Sequence, residues 1–165
     1  MIRLISSIIL LFLFVPTLHA ENADELSAIK KTAFNYMDSW YKGNSKMMKQ
    51  SLHKKLAKRS LKESLNGKKM LGFTSASSMI GYTIGGYGAN LCHDNLNIEV
   101  IVLDYYKNIA SVKVTTPHYY EYLHLIKLEK KWVIINEIQL TYLELDGIYC
   151  LIRGITLTEQ KEIIV

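Results

Sequence analysis

The chain has 165 residues, of which 49% are apolar and 21% charged, with a formal net charge of +5 and two cysteines. That length is one domain rather than two, and the composition excludes a wholly disordered chain. Two prolines and nine glycines exclude a collagen-like chain, and two cysteines exclude a disulfide scaffold.

Residues 1–20 read MIRLISSIILLFLFVPTLHA. Arg3 and the free amine make a positive head, and Leu4 to Val15 is an apolar run broken only by Ser6 and Ser7. Pro16 is expected to break the helix, and Leu18-His19-Ala20 offers a small residue at the cut. This is the layout of a secretory signal peptide, with cleavage expected after Ala20. The run is shorter than the roughly 20 residues that span a bilayer, and no later stretch approaches that length. No integral membrane span is therefore expected after cleavage. No cysteine follows the run to carry a lipid. Residues 21–165 then form a single domain of net charge +4, expected to be periplasmic or secreted. Those compartments are oxidising. Cys92 and Cys150 either pair there or serve as two small buried apolar side chains, and spacing leaves both open.

Glu21 to Lys42 has the pattern of a helix. Leu26, Ile29, Ala33, Tyr36, Met37 and Trp40 recur at three- and four-residue steps and make one apolar stripe. Asn22 and Glu25 have capping-box spacing, with Asp24 as an alternative cap. Gly43 is a natural stop. Ser45 then caps a short helix over Lys46 to Leu52. From His53 to Lys69 the chain is strongly basic and only weakly periodic. Ser75 to Tyr82 suits a short helix opened by Thr74 or Ser75, followed by a glycine loop over Gly81 to Gly88.

Four β-type runs follow: Leu96 to Tyr106, Ile109 to Thr116, Tyr119 to Leu128 and Lys131 to Tyr142. In the last, Trp132, Ile134 and Ile138 are expected to face one way and Val133, Ile135 and Leu140 the other. Lys107-Asn108 and Glu129-Lys130 are tight turns, which imply antiparallel neighbours. Helices first and strands after is the α+β pattern, a curved sheet with helices packed on one side. The tail from Leu143 to Val165 is apolar and β-branched and has no assigned element.

Two segments carry a resemblance. The first is YMDSWYKGNSKMMKQSLHKKLAKRSL, Tyr36 to Leu61; the second is NIASVKVTTPHYYEYLHLIKLEKKWVIINEIQL, Asn108 to Leu140. In order and spacing they resemble the nuclear-transport-factor-2-like superfamily, and within it the putative lumazine-binding branch, over Ala28 to Leu140. The resemblance implies a cone, in which a curved antiparallel sheet wraps around the N-terminal helices and leaves a cavity at its open end. Relatives of that superfamily include isomerase- and dehydratase-like enzymes as well as binding and dimerisation modules. This chain departs from the branch pattern in having Lys54 where Pro follows the Leu-His step, and Glu121 where Asp precedes Tyr-Leu.

Under that resemblance His53 borders the cavity, as a ligand contact or general base; the plain alternative is a loop-fixing histidine. Glu121 lies among Tyr119, Tyr120 and Tyr122. Buried, it would have a raised pKa and suit acid or base catalysis; without the resemblance it reads as a solvent-facing glutamate. Tyr36, Trp40 and Asn136 complete the candidate ligand contacts, with Tyr36 and Trp40 also readable as plain core. Trp132 reads as a core anchor. Glu121 and His124 are three apart, so they face opposite sides of a strand and make no dyad, and Asn136 and Glu137 likewise oppose each other.

His53, His93, His118 and His124 are scattered, so no metal site is expected. No Gly-x-Ser-x-Gly elbow or phosphate loop is present, and no cofactor is expected. Lys30 to Lys69 carries twelve Lys and Arg against Asp38 and Glu63, so one region holds nearly all the excess charge. Export and the absence of interleaved aromatics argue against nucleic acid as its partner. The reading is an exported module that binds a small apolar or aromatic molecule or pairs through its sheet as a homodimer. The alternative is an isomerase- or dehydratase-like enzyme with Glu121 or His53 as base.

Overall fold

The computed structural model describes residues 15–63, 68–91 and 96–141. Three helices, α1 (Val15–Tyr41), α2 (Ser45–Ser51) and α3 (Ala76–Ile84), lie against six strands. The strands are β1 (Leu52–Glu63), β2 (Lys69–Thr74), β3 (Glu99–Tyr106), β4 (Ile109–Thr115), β5 (Tyr119–Leu128) and β6 (Lys131–Thr141). They form one sheet in the order β2-β1-β6-β5-β4-β3. This is the expected α+β arrangement. Neighbours are antiparallel except β1 and β6, which run parallel. Cys92, Cys150 and the tail from Leu143 lie outside the described residues, as does most of the leader.

The apolar stripe of α1 packs into the concave face of the sheet, with Ile29, Ala33, Tyr36, Met37 and Tyr41 buried. They meet Val112 and Val114 of β4, Leu123 and Leu125 of β5, and Trp132 and Ile134 of β6 in one core. Full burial of side chains of this size stabilises the fold by roughly 1.5–3 kcal/mol each. The leader run that Pro16 was expected to end lies outside the described residues, while α1 starts at Val15, ahead of the expected Glu21, with Pro16 in its first turn. A proline there removes no helical hydrogen bond, because the first N–H groups have no acceptor in any case. Glu25 is not a cap. Its carboxylate accepts from Trp132 Nε1 at 2.9 Å and pairs with Lys127, tying the N-terminal part of α1 to the β5–β6 hairpin. Those two hydrogen bonds hold the Glu25 carboxyl below its ordinary pKa.

At its other end α1 stops as expected at Gly43, whose φ is +63°. Gly43 N–H bonds to Trp40 O and Asn44 N–H to Ser39 O, the paired bonds of a Schellman motif. The cap of α2 is Asn44 rather than Ser45, its Oδ1 accepting from Met47 N at 3.0 Å. Ser75 caps α3, as expected. Gly88 is the tightest point of the loop after α3: a Cβ there would lie 2.5 Å from the Trp40 carbonyl oxygen.

The basic stretch after His53 is a strand, which its sequence did not announce. The parallel pairing of β1 to β6 begins at Leu52↔Ile134, slips, and resumes at Ala57↔Asn136. The extra residues of β1 fall at His53 to Leu56 and break the alternation that marks a strand. A second slip falls in β6. The pairs His124↔Asn136 and Leu125↔Ile134 leave Ile135 as an extra residue. Before it Trp132 and Ile134 face the core; after it Glu137 and Gln139 do. Ile138 therefore faces outward, not inward with Trp132 as its spacing suggested.

The outer sheet face carries a band of apolar side chains. Leu71, Leu61, Leu140 and Tyr120 stand in one cross-strand row, and Phe73, Arg59, Ile138 and Tyr122 in the next. Leu71 and Phe73 are 70% and 68% exposed.

Gly88→Ala forces a Cβ against main chain, which has no flexible end to yield. It is expected to cost about 1–3 kcal/mol, the usual range for overpacking. Urea unfolding followed by tryptophan fluorescence measures this; an unchanged midpoint would show that the loop gives way freely.

Candidate functional site

The inner face of the sheet changes character along its length. On β5 it runs Leu125, Leu123, Glu121; on β6, Trp132 and Ile134, then Glu137 and Gln139; on β1, Leu56, Lys58, Ser60. The apolar end packs α1. The polar end lines a cavity of about 190 Å³ between α1, α3 and the sheet. Tyr36, Met37 and Trp40 form its α1 wall, and Met79 and Tyr82 its α3 wall. Lys58, Ser60, Tyr119, Glu121, Gln139 and the strand ends Thr74 and Thr141 form the sheet wall.

At the base of the cavity lies a charged cluster. Lys58 and Glu137 are direct neighbours across the parallel β1–β6 pair, and Gln139 sits between Ser60 and Glu121 one row further on. The Lys58 ammonium donates to the Tyr36 hydroxyl at 3.0 Å, to Glu121 Oε1 at 3.3 Å, and to Glu137 Oε1. Tyr36 in turn donates to Glu137 Oε2 at 2.9 Å. All three lysine N–H groups and both Glu137 oxygens are thereby used. Glu121 Oε2 is not: it is buried with no hydrogen-bond partner. Trp40 Nε1 is the other buried side-chain polar atom without a partner among the described residues. It lies near enough to the Tyr119 hydroxyl to favour its ionisation, but outside hydrogen-bond geometry. The two rings pack edge to face with centroids 6.5 Å apart.

Two carboxyls and one ammonium out of water cannot all be charged cheaply. Burial and the neighbouring Glu137 push the Glu121 carboxyl up to about 8, against the pull of Lys58. Burial alone would lower Lys58, but the two carboxylates outweigh it and hold the amine above its ordinary value. Burial, with both carboxylates, raises Tyr36 well above the phenol range. At neutral pH Lys58 is thus charged and the Glu121 carboxyl mainly holds its proton.

The candidate residues separate. Tyr36, Trp40 and Glu121 come together in the cavity wall. His53 does not line it; its Nδ1 accepts from the Lys55 backbone N–H at 3.2 Å, within the slipped part of β1. Asn136 faces the outer side of the sheet, where it accepts from Arg59 and contacts His124 Nδ1. Lys58 and Glu137 are the residues that sequence reasoning missed. Lys58 was one basic residue among many, and Glu137 comes inward only because of the Ile135 bulge. Among the described residues no group of His, Cys, Asp or Glu is placed to hold a metal ion, and no helix is long and apolar enough to cross a membrane.

A bent sheet around a long helix, with a polar cavity at one end, defines the cone-fold class of the nuclear-transport-factor-2-like proteins. Within that class the chain belongs to the family described as putative lumazine-binding, whose model matches residues 24–138. Solved structures agree on the fold. An NTF2-like protein of unknown function from Silicibacter pomeroyi is 11% identical, with a TM-score of 0.56 over 73% of this chain and 98% of its own. One from Shewanella baltica is 17% identical, with a TM-score of 0.56 over 74% and 97%. A ketosteroid isomerase-like protein from Erwinia carotovora atroseptica is 12% identical, with a TM-score of 0.53 over 73% and 98%. No curated protein matches the chain.

Because the folded-state pKa of Glu121 lies above the ordinary 4.5, the folded chain holds a proton that the unfolded chain has lost between about pH 4.5 and 8. The stabilising contribution is complete below that window and is lost as pH rises through it. Stability measured by urea unfolding is expected to fall from pH 5 to pH 8, and Glu121→Gln to flatten that slope. Lys58→Met leaves the carboxyls buried without their counter-ion and is expected to cost about 3–5 kcal/mol at pH 7. A flat profile in the unmodified chain, or a neutral Lys58→Met, would contradict this account of the cluster.

Proposed function

We propose that the chain is an exported module that binds a small, largely apolar or aromatic molecule in the cavity between α1, α3 and the sheet. The observation that carries this reading is the unpartnered Glu121 Oε2. A buried polar atom without a partner costs about 1–3 kcal/mol, and natural proteins leave few of them unexplained. Here the carboxyl lines a cavity whose other walls are Tyr36, Trp40, Met79, Tyr82 and Tyr119. That combination of apolar lining and a few convergent polar groups is what small-molecule sites share.

Export is supported by the leader, whose positive head, apolar run and small residue at Ala20 have the layout of a signal peptide. Homodimerisation through the outer sheet face is supported by the two apolar rows on β2, β1, β6 and β5. Burying exposed apolar surface of this kind is the usual drive for association.

A second reading is an isomerase- or dehydratase-like enzyme with Glu121 as acid or base. A carboxyl near pKa 8 suits proton transfer at neutral pH. His53, the other candidate base, is not in the cavity lining, so this reading rests on Glu121 alone.

Native mass spectrometry of the chain expressed in a bacterial host and purified from the periplasm tests all parts together. The expected species is a dimer, each copy lacking residues 1–20, with a retained small molecule that Glu121→Gln loses. Uncleaved chain would refute export, and a monomer would refute the sheet interface. A ligand equally retained by Glu121→Gln would remove this carboxyl from the site. A retained molecule that is converted on incubation would favour the enzyme.

A further inference from the structure

The cavity is one positive charge short. Glu121 and Glu137 are both buried, 1% and 0% exposed, and face a single ammonium, Lys58. The groups facing Glu121 are Lys58 from β1, Glu137 from β6, Tyr36 from α1 and Tyr119 on its own strand. The remaining lining groups, among them Ser60, Thr74, Met79 and Gln139, carry no charge. The second negative charge is therefore met by the proton on Glu121, and without that proton one carboxyl oxygen has no partner.

The rest of the wall is aromatic. Tyr36, Trp40, Tyr82 and Tyr119 surround the same space. Ring faces attract cations, more strongly where water is excluded, and aromatic cages are the recurrent means of holding organic ammonium groups. Lys58 already uses this attraction within the cluster, its Nζ standing 5.7 Å from the centre of the Tyr36 ring. The same wall disfavours an anionic ligand, which would meet the Glu121 carboxyl and find every N–H of Lys58 taken.

We infer that the cavity binds a small organic amine, an aryl-alkyl ammonium whose N–H reaches Glu121 Oε2 and whose charge takes the place of the carboxyl proton. The balance is simple. The ammonium enters, the Glu121 proton leaves to solvent, and the net charge of the site does not change. The apolar body of the ligand lies against Met37 and Met79, and an oxygen on it would take the free Trp40 N–H. The inference rests on the cavity reading above and adds the charge of the ligand to it.

Isothermal titration of the full chain with 2-phenylethylamine and with its neutral counterpart 2-phenylethanol, at pH 7 in two buffers of different ionisation enthalpy, tests it. The amine is expected to bind about tenfold tighter or more, releasing close to one proton per molecule bound. Equal or tighter binding of the alcohol, or amine binding without proton release, overturns the inference while leaving the cavity reading in place. Failure of both probes at millimolar concentration, with no change in tryptophan fluorescence, overturns both. Glu121→Gln, checked for folding by its thermal melt, is expected to lose the preference and the proton release together; retention of either overturns the assignment to this carboxyl. Tyr82→Leu keeps an apolar side chain at the exposed rim but removes the ring. It is expected to weaken the amine about threefold or more and leave the alcohol unchanged; equal losses overturn the aromatic part.

Discussion

The polar half of this molecule is organised by one ammonium group. Lys58 reaches from β1 to Tyr36 on α1, Glu121 on β5 and Glu137 on β6. Helix and sheet are thus tied together where the apolar core gives out. Beyond Leu123 and Ile134 the inner faces of β5 and β6 carry Glu121, Glu137 and Gln139 in place of aliphatic side chains, and hydrogen bonds to charged groups help to hold α1 there. Such bonds are individually stronger than neutral ones but demand complete pairing. The cluster comes within one oxygen atom of completeness. A site of binding needs that kind of exception, since a fully satisfied cluster has nothing to offer a ligand.

Much of the fold was legible because the governing signals are local. The three- and four-residue stripe of α1 put Ile29, Ala33, Tyr36 and Met37 on one face. Gly43 ended the helix, because only a residue at ease with positive φ suits that position. The two tight turns, Lys107-Asn108 and Glu129-Lys130, set the antiparallel order of β3 to β6. The site was legible only in part. Glu121 alternates in phase with Leu123 and Leu125, so its inward position could be argued. Glu137 could not be placed, because an extra residue at Ile135 reverses the parity of everything after it, and such a slip leaves no mark in composition. β1 was hidden for two reasons. Its own slip removes the alternation near His53, and its inward positions beyond Leu56 are Lys58 and Ser60, the opposite of what a buried strand face is expected to show. The residues that defeat pattern reading are the ones that build the cavity, which is where local and global preferences are expected to conflict.

Family membership and structural likeness place the chain in a fold that hosts many activities, and such a fold carries no chemistry by itself. The chemistry open to this chain is set by the content of its cavity. The carboxyl that stands among tyrosines on β5 is matched by a second carboxyl on the neighbouring β6 and a lysine on β1 beyond it, with aromatic rings closing the remaining walls. The outer face of the same sheet carries a band of exposed apolar side chains, broken by Arg59, and is unrelated in chemistry. The sheet therefore separates two surfaces, a polar recess on one side and a sticky band on the other, and each can change without disturbing the other.

The parallel pairing of β1 with β6 has a consequence in time as well as in space. Lys58 and Glu137 are 79 residues apart along the chain, yet they are neighbours in the sheet. The hairpins β1–β2, β3–β4, β4–β5 and β5–β6 each close short loops, whereas this contact must wait for the whole intervening chain. Long-range strand pairing is the slow step of sheet formation. The recess is therefore completed at the end of folding, when β6 lands beside β1. A chain caught earlier has its hairpins but lacks the Lys58–Glu137 pair, so the recess has no wall before the last strand is in place.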